Sequence, residues 1–146
     1  MEELDNKGFY VDSCIYINLW RKEEGKDKKR LWEIAEQFFS RHEQDRIYYS
    51  GFILKELQFV LKADEFKKCR LAIIARLNFR RLFLSNSEMA NARKIESEIN
   101  YEISFYDIIH MLLAKQANAI LITRDRKLIK IAARYFVNAK LPEEAL

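Results

Sequence analysis

Two aspartates follow short apolar segments of the chain, where strands of an α/β protein would end. Asp12 follows "GFYV", and Asp125 comes shortly after the apolar run 119–122, behind Thr123 and Arg124. Ligands bind at the carboxyl ends of the strands in open α/β sheets, so we expect both carboxylates at that edge. The alternative is that Thr123 or Asp125 only caps the helix that follows.

Two further acids lie on predicted helices. The helical neighbours of Glu56 are all apolar: Phe52, Ile53, Phe59 and Val60. A carboxylate on such a face is costly unless a metal ion or a basic side chain pairs with it, or unless it lies at the rim of the core. Asp107 falls in the first turn of its helix, where the helix dipole favours an acid. That helix leads into the strand before Asp125, so the two acids can meet.

Carboxylates that converge without matching bases repel one another unless divalent cations hold them. Oxygen ligands favour Mg²⁺ or Mn²⁺ over zinc. Such clusters hydrolyse phosphodiester bonds, because the cations activate water and neutralise the charge that develops on the phosphate. The four acids therefore predict metal-dependent phosphodiester hydrolysis.

Composition and hydrophobic period predict the elements that position these acids. The 146 residues are 49% hydrophobic, with three Gly and one Pro, which favours one domain over residues 1–146 and disfavours a β-sandwich. No apolar run approaches the roughly 18 residues of a membrane helix, and the polar N-terminus is not typical of a signal peptide. We expect a cytoplasmic protein in which Cys14 and Cys69 are free thiols. The net charge of +4 hints at a polyanionic partner.

Short apolar segments alternate with longer amphipathic ones along the chain. The pattern predicts strands at 8–12, 46–50, 81–85, 119–122 and 135–138, and helices at 13–20, 29–41, 51–63, 65–79, 86–100, 104–117 and 124–134. Ser50 and Ser104 can cap two of these helices. The alternation predicts an α/β fold with a short central parallel sheet flanked by helices on both faces.

The order and setting of the four acids resemble those of PIN-domain nucleases. The matching segments are "YVDSCIYI" with Asp12, "SGFILKEL" with Glu56, "SFYDIIHMLLAKQANA" with Asp107 and "LITRDRKL" with Asp125. The resemblance covers nearly the whole chain and implies a three-layer PIN-like fold, an acidic pocket for Mg²⁺ or Mn²⁺, and endoribonuclease activity on RNA. Family members of this size are mostly VapC-type toxins, which are usually homodimers neutralised by an antitoxin.

The resemblance also implies roles for single residues. Asp12, Glu56, Asp107 and Asp125 look like the acidic ligands, directly or through water. Ser13 and Thr123 match hydroxyl positions that orient a ligand or a water. For Asn18 we expect a helix-surface position, with a place in the pocket as the alternative. His110 lies three residues from Asp107 and could face the pocket, but we interpret it as a satisfied histidine at the core edge.

Two features depart from the family pattern. Many members carry another acid two residues after the position of Asp125, where this chain has Lys127. A second tightly held metal is therefore in question. The eleven residues before Asp12 form a longer lead than in compact toxins, which we interpret as a strand extension or as disordered.

Basic residues indicate where nucleic acid would bind. The segment 65–81 holds six bases and one acid. A helix there would place Arg76 and Arg80 on one face, and with Lys67 and Lys68 they would contact RNA phosphates. Arg124 and Arg126 flank Asp125 and are expected near the scissile phosphate. The alternative for the basic segment is a solvated helix face.

Other functions remain open from the sequence. The same chemistry would serve rRNA or tRNA processing, and Lys127 leaves room for a non-catalytic relic of the fold that binds RNA or protein. A phospho-acceptor receiver domain needs paired acids after its first strand, whereas Ser13 follows Asp12. A homodimer would use the apolar faces of helices 29–41 and 51–63.

Overall fold

A computed structural model describes residues 8–26 and 29–146. The strands are β1 (Phe9–Val11), β2 (Ile47–Ser50), β3 (Phe79–Leu82), β4 (Ile120–Ile122) and β5 (Ala139–Lys140). The helices are α1 (Ser13–Arg21), α2 (Leu31–Arg41), α3 (Gly51–Val60), α4 (Ala63–Ala75), α5 (Asn86–Glu98), α6 (Phe105–Gln116) and α7 (Arg126–Arg134), and a 3₁₀ helix follows at Pro142–Ala145.

The five strands form one parallel sheet in the order β3-β2-β1-β4-β5. The first strand is therefore central, and Phe9 lies between Ile47 of β2 and Ile120 of β4. The chain moves outward to β3 and then returns past β1 to β4. Because crossovers between parallel strands are right-handed, this reversal places α1 to α4 on one face and α5 to α7 on the other. The predicted three-layer α/β fold is confirmed.

The core lies on both faces of β1 and along α6. Tyr10 and Val11 of β1 are fully buried. Helix α6 is buried at every residue from Ile108 to Ala114, so it is surrounded by protein rather than lying on the surface. A polar side chain on this part of α6 must find its partners inside the molecule.

Three predicted elements are misplaced along the chain. The helix predicted over 65–79 ends at Ala75, and the strand predicted at 81–85 lies at Phe79–Leu82. Asn78 fixes this early start, because its backbone carbonyl accepts from the Ile47 amide at 3.0 Å and its side chain donates to the Asp45 carbonyl at 2.9 Å. The last strand, predicted at 135–138, lies at Ala139–Lys140, because Phe136 turns the chain with a φ of 64°.

One of the two helices expected to form a dimer surface packs its apolar face into the core instead. The apolar face of α2 is buried in the core through Ala35, Phe38 and Phe39, so the expectation for helix 29–41 is wrong. On α3, by contrast, the side chains of Phe59 and Val60 are 81% and 44% exposed.

Of the eleven residues before Asp12, residues 9–11 form β1. The interpretation of the rest as a strand extension or as disordered falls mostly on residues 1–7, which lie outside the described residues. The two cysteines form no disulfide, as expected. No helix in the described part of the chain has the length and apolar character needed to cross a membrane.

Candidate metal centre

Asp12 lies directly after the central strand and is 5% exposed. Its amide donates to the Ile122 carbonyl at 2.9 Å, which joins the ends of β1 and β4. Oδ1 accepts from the Ser13 amide at 2.8 Å and lies 3.5 Å from the Ser13 hydroxyl, and Oδ2 accepts from the Thr123 hydroxyl at 2.8 Å. The carboxylate is therefore held on both oxygens at the edge of the sheet.

Thr123 connects the two aspartates at the strand ends. Its side chain is fully buried, donates to Asp12 and accepts from the Asp125 amide at 3.1 Å. Oδ1 of Asp125 accepts from the amides of Lys127 and Leu128 at 3.0 and 3.2 Å, so Asp125 caps α7. The capping alternative is present in the structure, and a role of Asp125 at a metal stays a prediction.

Glu56 has a histidine as its partner rather than a lysine or arginine. His110 Nε2 lies 2.6 Å from Glu56 Oε1 and 3.9 Å from Asp12 Oδ1. The expectation that Glu56 lies on a buried apolar helix face is wrong in part, because the side chain of Phe59, three residues later, is exposed to solvent. Glu56 lies at the margin of the core, and its carboxylate reaches inward.

His110 belongs to the tightest group of potential ligands among residues 8–26 and 29–146. One ligand atom each from Asp12, Glu56 and His110 lie within 4.8 Å of one another. His110 is a satisfied histidine, as expected, because both ring nitrogens have partners, but it lies among the acids rather than apart from them. Its position three residues after Asp107 puts both on one face of α6, and this spacing was the available signal. Burial lowers the pKa of His110, but the hydrogen bond to Glu56 and the nearby carboxylates outweigh burial, and the pKa is raised.

Asp107 experiences the charge of the other acids. Burial raises the pKa of its carboxyl to about 6, with further contributions from Asp12 and Asp125 and opposition from His110 and Ser104. Ser104 caps α6 by accepting from the Asp107 amide at 3.1 Å, as predicted. An acid whose pKa is raised by neighbouring carboxylates gains from a bound cation, and carboxylate oxygens suit a hard divalent ion. The residues present therefore fit Mg²⁺ or Mn²⁺.

Asn18 and Arg124 form a polar network beside these acids. Asn18 is 5% exposed, so the expected helix-surface position is wrong. Its Oδ1 accepts from Arg124 Nε at 3.0 Å, and its Nδ2 donates to Glu23 at 2.9 Å. Arg124 Nη1 donates to both carboxylate oxygens of Glu143 at 3.0 and 3.3 Å. Arg124 therefore connects the end of β4 to α1 and to the 3₁₀ helix.

The predicted basic residues lie on different elements. Arg76 and Arg80 do not share a helix face, because α4 ends at Ala75 and Arg80 lies in β3. The Arg76 guanidinium lies over the Phe79 ring at 5.7 Å, and the Arg80 guanidinium donates to the Leu77 carbonyl. Exposed bases also include Lys67 and Lys68 on α4 and Arg126 at the start of α7.

Comparison with known proteins supports the fold and the family. The chain is similar to FitAcB from Neisseria gonorrhoeae (TM-score 0.62, 15% identity, 92% of this chain and 98% of that one). It is also similar to VapBC2 from Rickettsia felis bound to a promoter DNA fragment (TM-score 0.68, 15% identity, 91% and 97%). A third is FitAB bound to an IR36 DNA fragment (TM-score 0.59, 14% identity, 92% and 94%).

Sequence identities this low support a shared fold, but not a shared function. A sequence comparison with curated proteins finds no match. The sequence model of the PIN domain, however, matches residues 9–134, a range that contains all four predicted acids. The chain therefore belongs to the PIN domain family.

Proposed function

We propose that the protein is a Mg²⁺- or Mn²⁺-dependent endoribonuclease. The observation that carries this proposal is the meeting of carboxylates from three elements at the carboxyl end of the sheet. Asp12 and Glu56 are in the tight ligand group, and the charges of Asp12 and Asp125 contribute to the raised pKa of Asp107. PIN domains are generally nucleases, which agrees with a site of this kind.

The residues have separate tasks in this proposal. Asp12, Glu56 and Asp107 hold the cation, and Asp125 adds negative charge beside them. Thr123 and the Ser13 amide keep Asp12 in place through its two oxygens. A bound divalent cation stabilises negative charge on the scissile phosphate and makes water a stronger nucleophile.

Exposed bases supply the contacts to RNA. The bases that would bind phosphates are the exposed side chains of Lys67 and Lys68 on α4 and of Arg126 on α7. Arg124 already pairs with Glu143 and its side chain is 18% exposed, so it contributes to the site mainly by fixing Asn18.

We further propose that the protein is the toxin of a toxin–antitoxin pair, acts in the cytoplasm and binds an antitoxin protein. The support is the likeness in fold to chains of the FitAB and VapBC2 complexes, which are toxin–antitoxin assemblies. The exposed Phe59 and Val60 on α3 are the surface we propose for homodimer contacts.

The test is cleavage of a structured RNA by purified protein with Mn²⁺, with Mg²⁺ and with EDTA. Asp12→Asn and Asp107→Asn keep the shape of the side chains and remove the charges that hold a cation. Asp64→Asn, at an exposed position on α4, is the matched control. We expect metal-dependent cleavage by the wild type and by the control, and loss in the two site variants. A wild type that binds RNA without cutting it under any of these conditions would identify a binding relic.

The toxin role has its own test. Expression of the wild type in a host cell should arrest growth, and expression of Asp12→Asn should not. Normal growth with an active, metal-dependent nuclease would favour a processing role on rRNA or tRNA.

A further inference from the structure

Four side chains form a hydrogen-bonded chain that runs from the core into the candidate metal centre. The Ser50 hydroxyl lies 2.8 Å from the Tyr10 hydroxyl, which lies 2.7 Å from His110 Nδ1, and His110 Nε2 lies 2.6 Å from Glu56 Oε1. The chain joins β1, β2, α3 and α6. We propose that His110 is a positioning residue that holds the Glu56 carboxylate towards the cation, and that Tyr10 and Ser50 hold His110.

This inference rests on the proposed function and assigns His110 a role different from that of a metal ligand. We assign a hydrogen to Nε2, because a carboxylate oxygen of Glu56 can only accept across this 2.6 Å contact. In the neutral imidazole with this hydrogen, Nδ1 accepts from the Tyr10 hydroxyl, which in turn accepts from Ser50. In the imidazolium, Nδ1 donates to Tyr10, which then donates to Ser50. Nε2 donates to Glu56 in both forms, so its lone pair is not free to bind a cation.

The opposite tautomer conflicts with the geometry. It would set the lone pair of Nε2 against an ionised carboxylate oxygen at 2.6 Å, with no hydrogen between them. The surroundings also keep the ring from turning away, because His110 and Tyr10 are fully buried and Ser50 is 1% exposed. A buried polar group without a partner is costly, and the hydrogen-bonded chain gives each ring nitrogen of His110 a partner.

Glu56 needs such a partner more than Asp12 does. Asp12 is held by the Ser13 amide and by the Thr123 hydroxyl. In the described part of the chain, the one hydrogen bond to the Glu56 carboxylate comes from His110. The Glu56 side chain is 26% exposed and has three rotatable bonds, so without His110 it would sample many positions.

Outer-shell partners of metal ligands set their orientation, and their loss typically lowers metal affinity about 10- to 100-fold. We expect His110→Leu to weaken Mn²⁺ binding in this range, about 10- to 100-fold. His110→Gln keeps a donor that reaches Glu56 and should restore much of the affinity. Tyr10→Phe leaves Glu56 its donor but frees the ring at Nδ1, so its loss should be smaller than that of His110→Leu.

Tyr16→Phe is the matched control for Tyr10→Phe. Tyr16 is also buried, and its hydroxyl has no hydrogen-bond partner among the residues that the structure describes. Mn²⁺ affinity is measured by calorimetric titration, and circular dichroism in EDTA confirms that each variant is folded. Tyr16→Phe should bind Mn²⁺ like the wild type.

Two spectroscopic readouts separate positioning from ligation and from a purely structural role. Pulsed electron paramagnetic resonance of bound Mn²⁺ should show no histidine nitrogen coupling in the wild type. Nitrogen NMR of the metal-free protein should show a hydrogen on His110 Nε2. A nitrogen coupling that disappears in His110→Gln would overturn the proposal in favour of direct ligation, and so would an Nε2 without hydrogen.

The affinities distinguish failure of this inference from failure of the proposed function. A wild type that binds Mn²⁺ together with a folded His110→Leu of equal affinity would overturn the positioning role alone. A wild type that binds neither Mn²⁺ nor Mg²⁺ would overturn the metal centre, and with it both proposals.

Discussion

Replacing Thr123 by valine removes one hydroxyl from the edge of the sheet and changes the side-chain volume very little. That hydroxyl is fully buried, donates to Asp12 at 2.8 Å and accepts from the Asp125 amide at 3.1 Å. The substitution therefore leaves a buried carboxylate oxygen without its short hydrogen bond. It also removes the link between the two strand-end acids.

The magnitude follows from these two bonds. A hydrogen bond to a charged group contributes about 1.5–3 kcal/mol, and a neutral one about 0.5–1.5 kcal/mol. The additional buried methyl group returns about 0.8 kcal/mol. We expect Thr123→Val to lower the free energy of unfolding by about 1.2–3.7 kcal/mol. For a chain of this size that loss corresponds to a fall in Tm of roughly 2–15 °C.

The assay is urea and thermal unfolding of the metal-free protein in EDTA. Thr123→Ser is the control, because it keeps the hydroxyl and loses only a methyl group, at a cost of about 1 kcal/mol. The valine variant should be the less stable of the two. A valine variant as stable as the serine variant would refute the inference that Asp12 depends on this donor.

Three further predictions concern other parts of the molecule. Partial burial raises the pKa of Glu143, but hydrogen bonds from the backbone and from two basic side chains outweigh burial and lower it. Its stabilisation is thus complete above the pKa of the unfolded chain and is lost as the pH falls through the lower, folded pKa. Glu143→Gln should therefore lower the free energy of unfolding, measured in urea, by about 1 kcal/mol at pH 7 and by less at pH 3. An equal loss at the two pH values would contradict this prediction. Phe136 has a φ of 64° and is 89% exposed. Phe136→Gly should therefore raise the free energy of unfolding by about 0.5–1 kcal/mol, and with it the Tm. A lower Tm would show that the Phe136 ring makes a stabilising contact. Lys67→Ala with Lys68→Ala should reduce the slope of log affinity for single-stranded RNA against log salt by about 1.4, and an unchanged slope would place RNA elsewhere.

The strand-end acids could be predicted from the sequence because local patterns determine their positions. Short apolar runs separated by amphipathic segments indicate a parallel sheet, and the residue after each run lies at its carboxyl edge. Asp12 and Asp125 are at that edge. The caps at Ser50 and Ser104 are local as well, since each binds an amide three residues on.

The partners of these acids depend on contacts between distant parts of the chain. His110 and Glu56 are 54 residues apart, and Arg124 and Asn18 are 106 apart, so no local pattern indicates either pair. The boundary between α4 and β3 was missed for a different reason. The basic residues up to Arg80 favour a solvated helix in the sequence, but β3 is an edge strand, where charged side chains are common.

The central claim is that these acids hold a divalent cation with which the protein cleaves RNA. The most direct measurement follows Mn²⁺ occupancy and the rate of RNA cleavage in the same samples, for the wild type and for Asp12→Asn. We expect the cleavage rate of the wild type to rise in step with bound Mn²⁺, and Asp12→Asn to lose both cleavage and bound Mn²⁺. Cleavage that persists in EDTA or in Asp12→Asn would contradict the claim, and so would full occupancy without any cleavage.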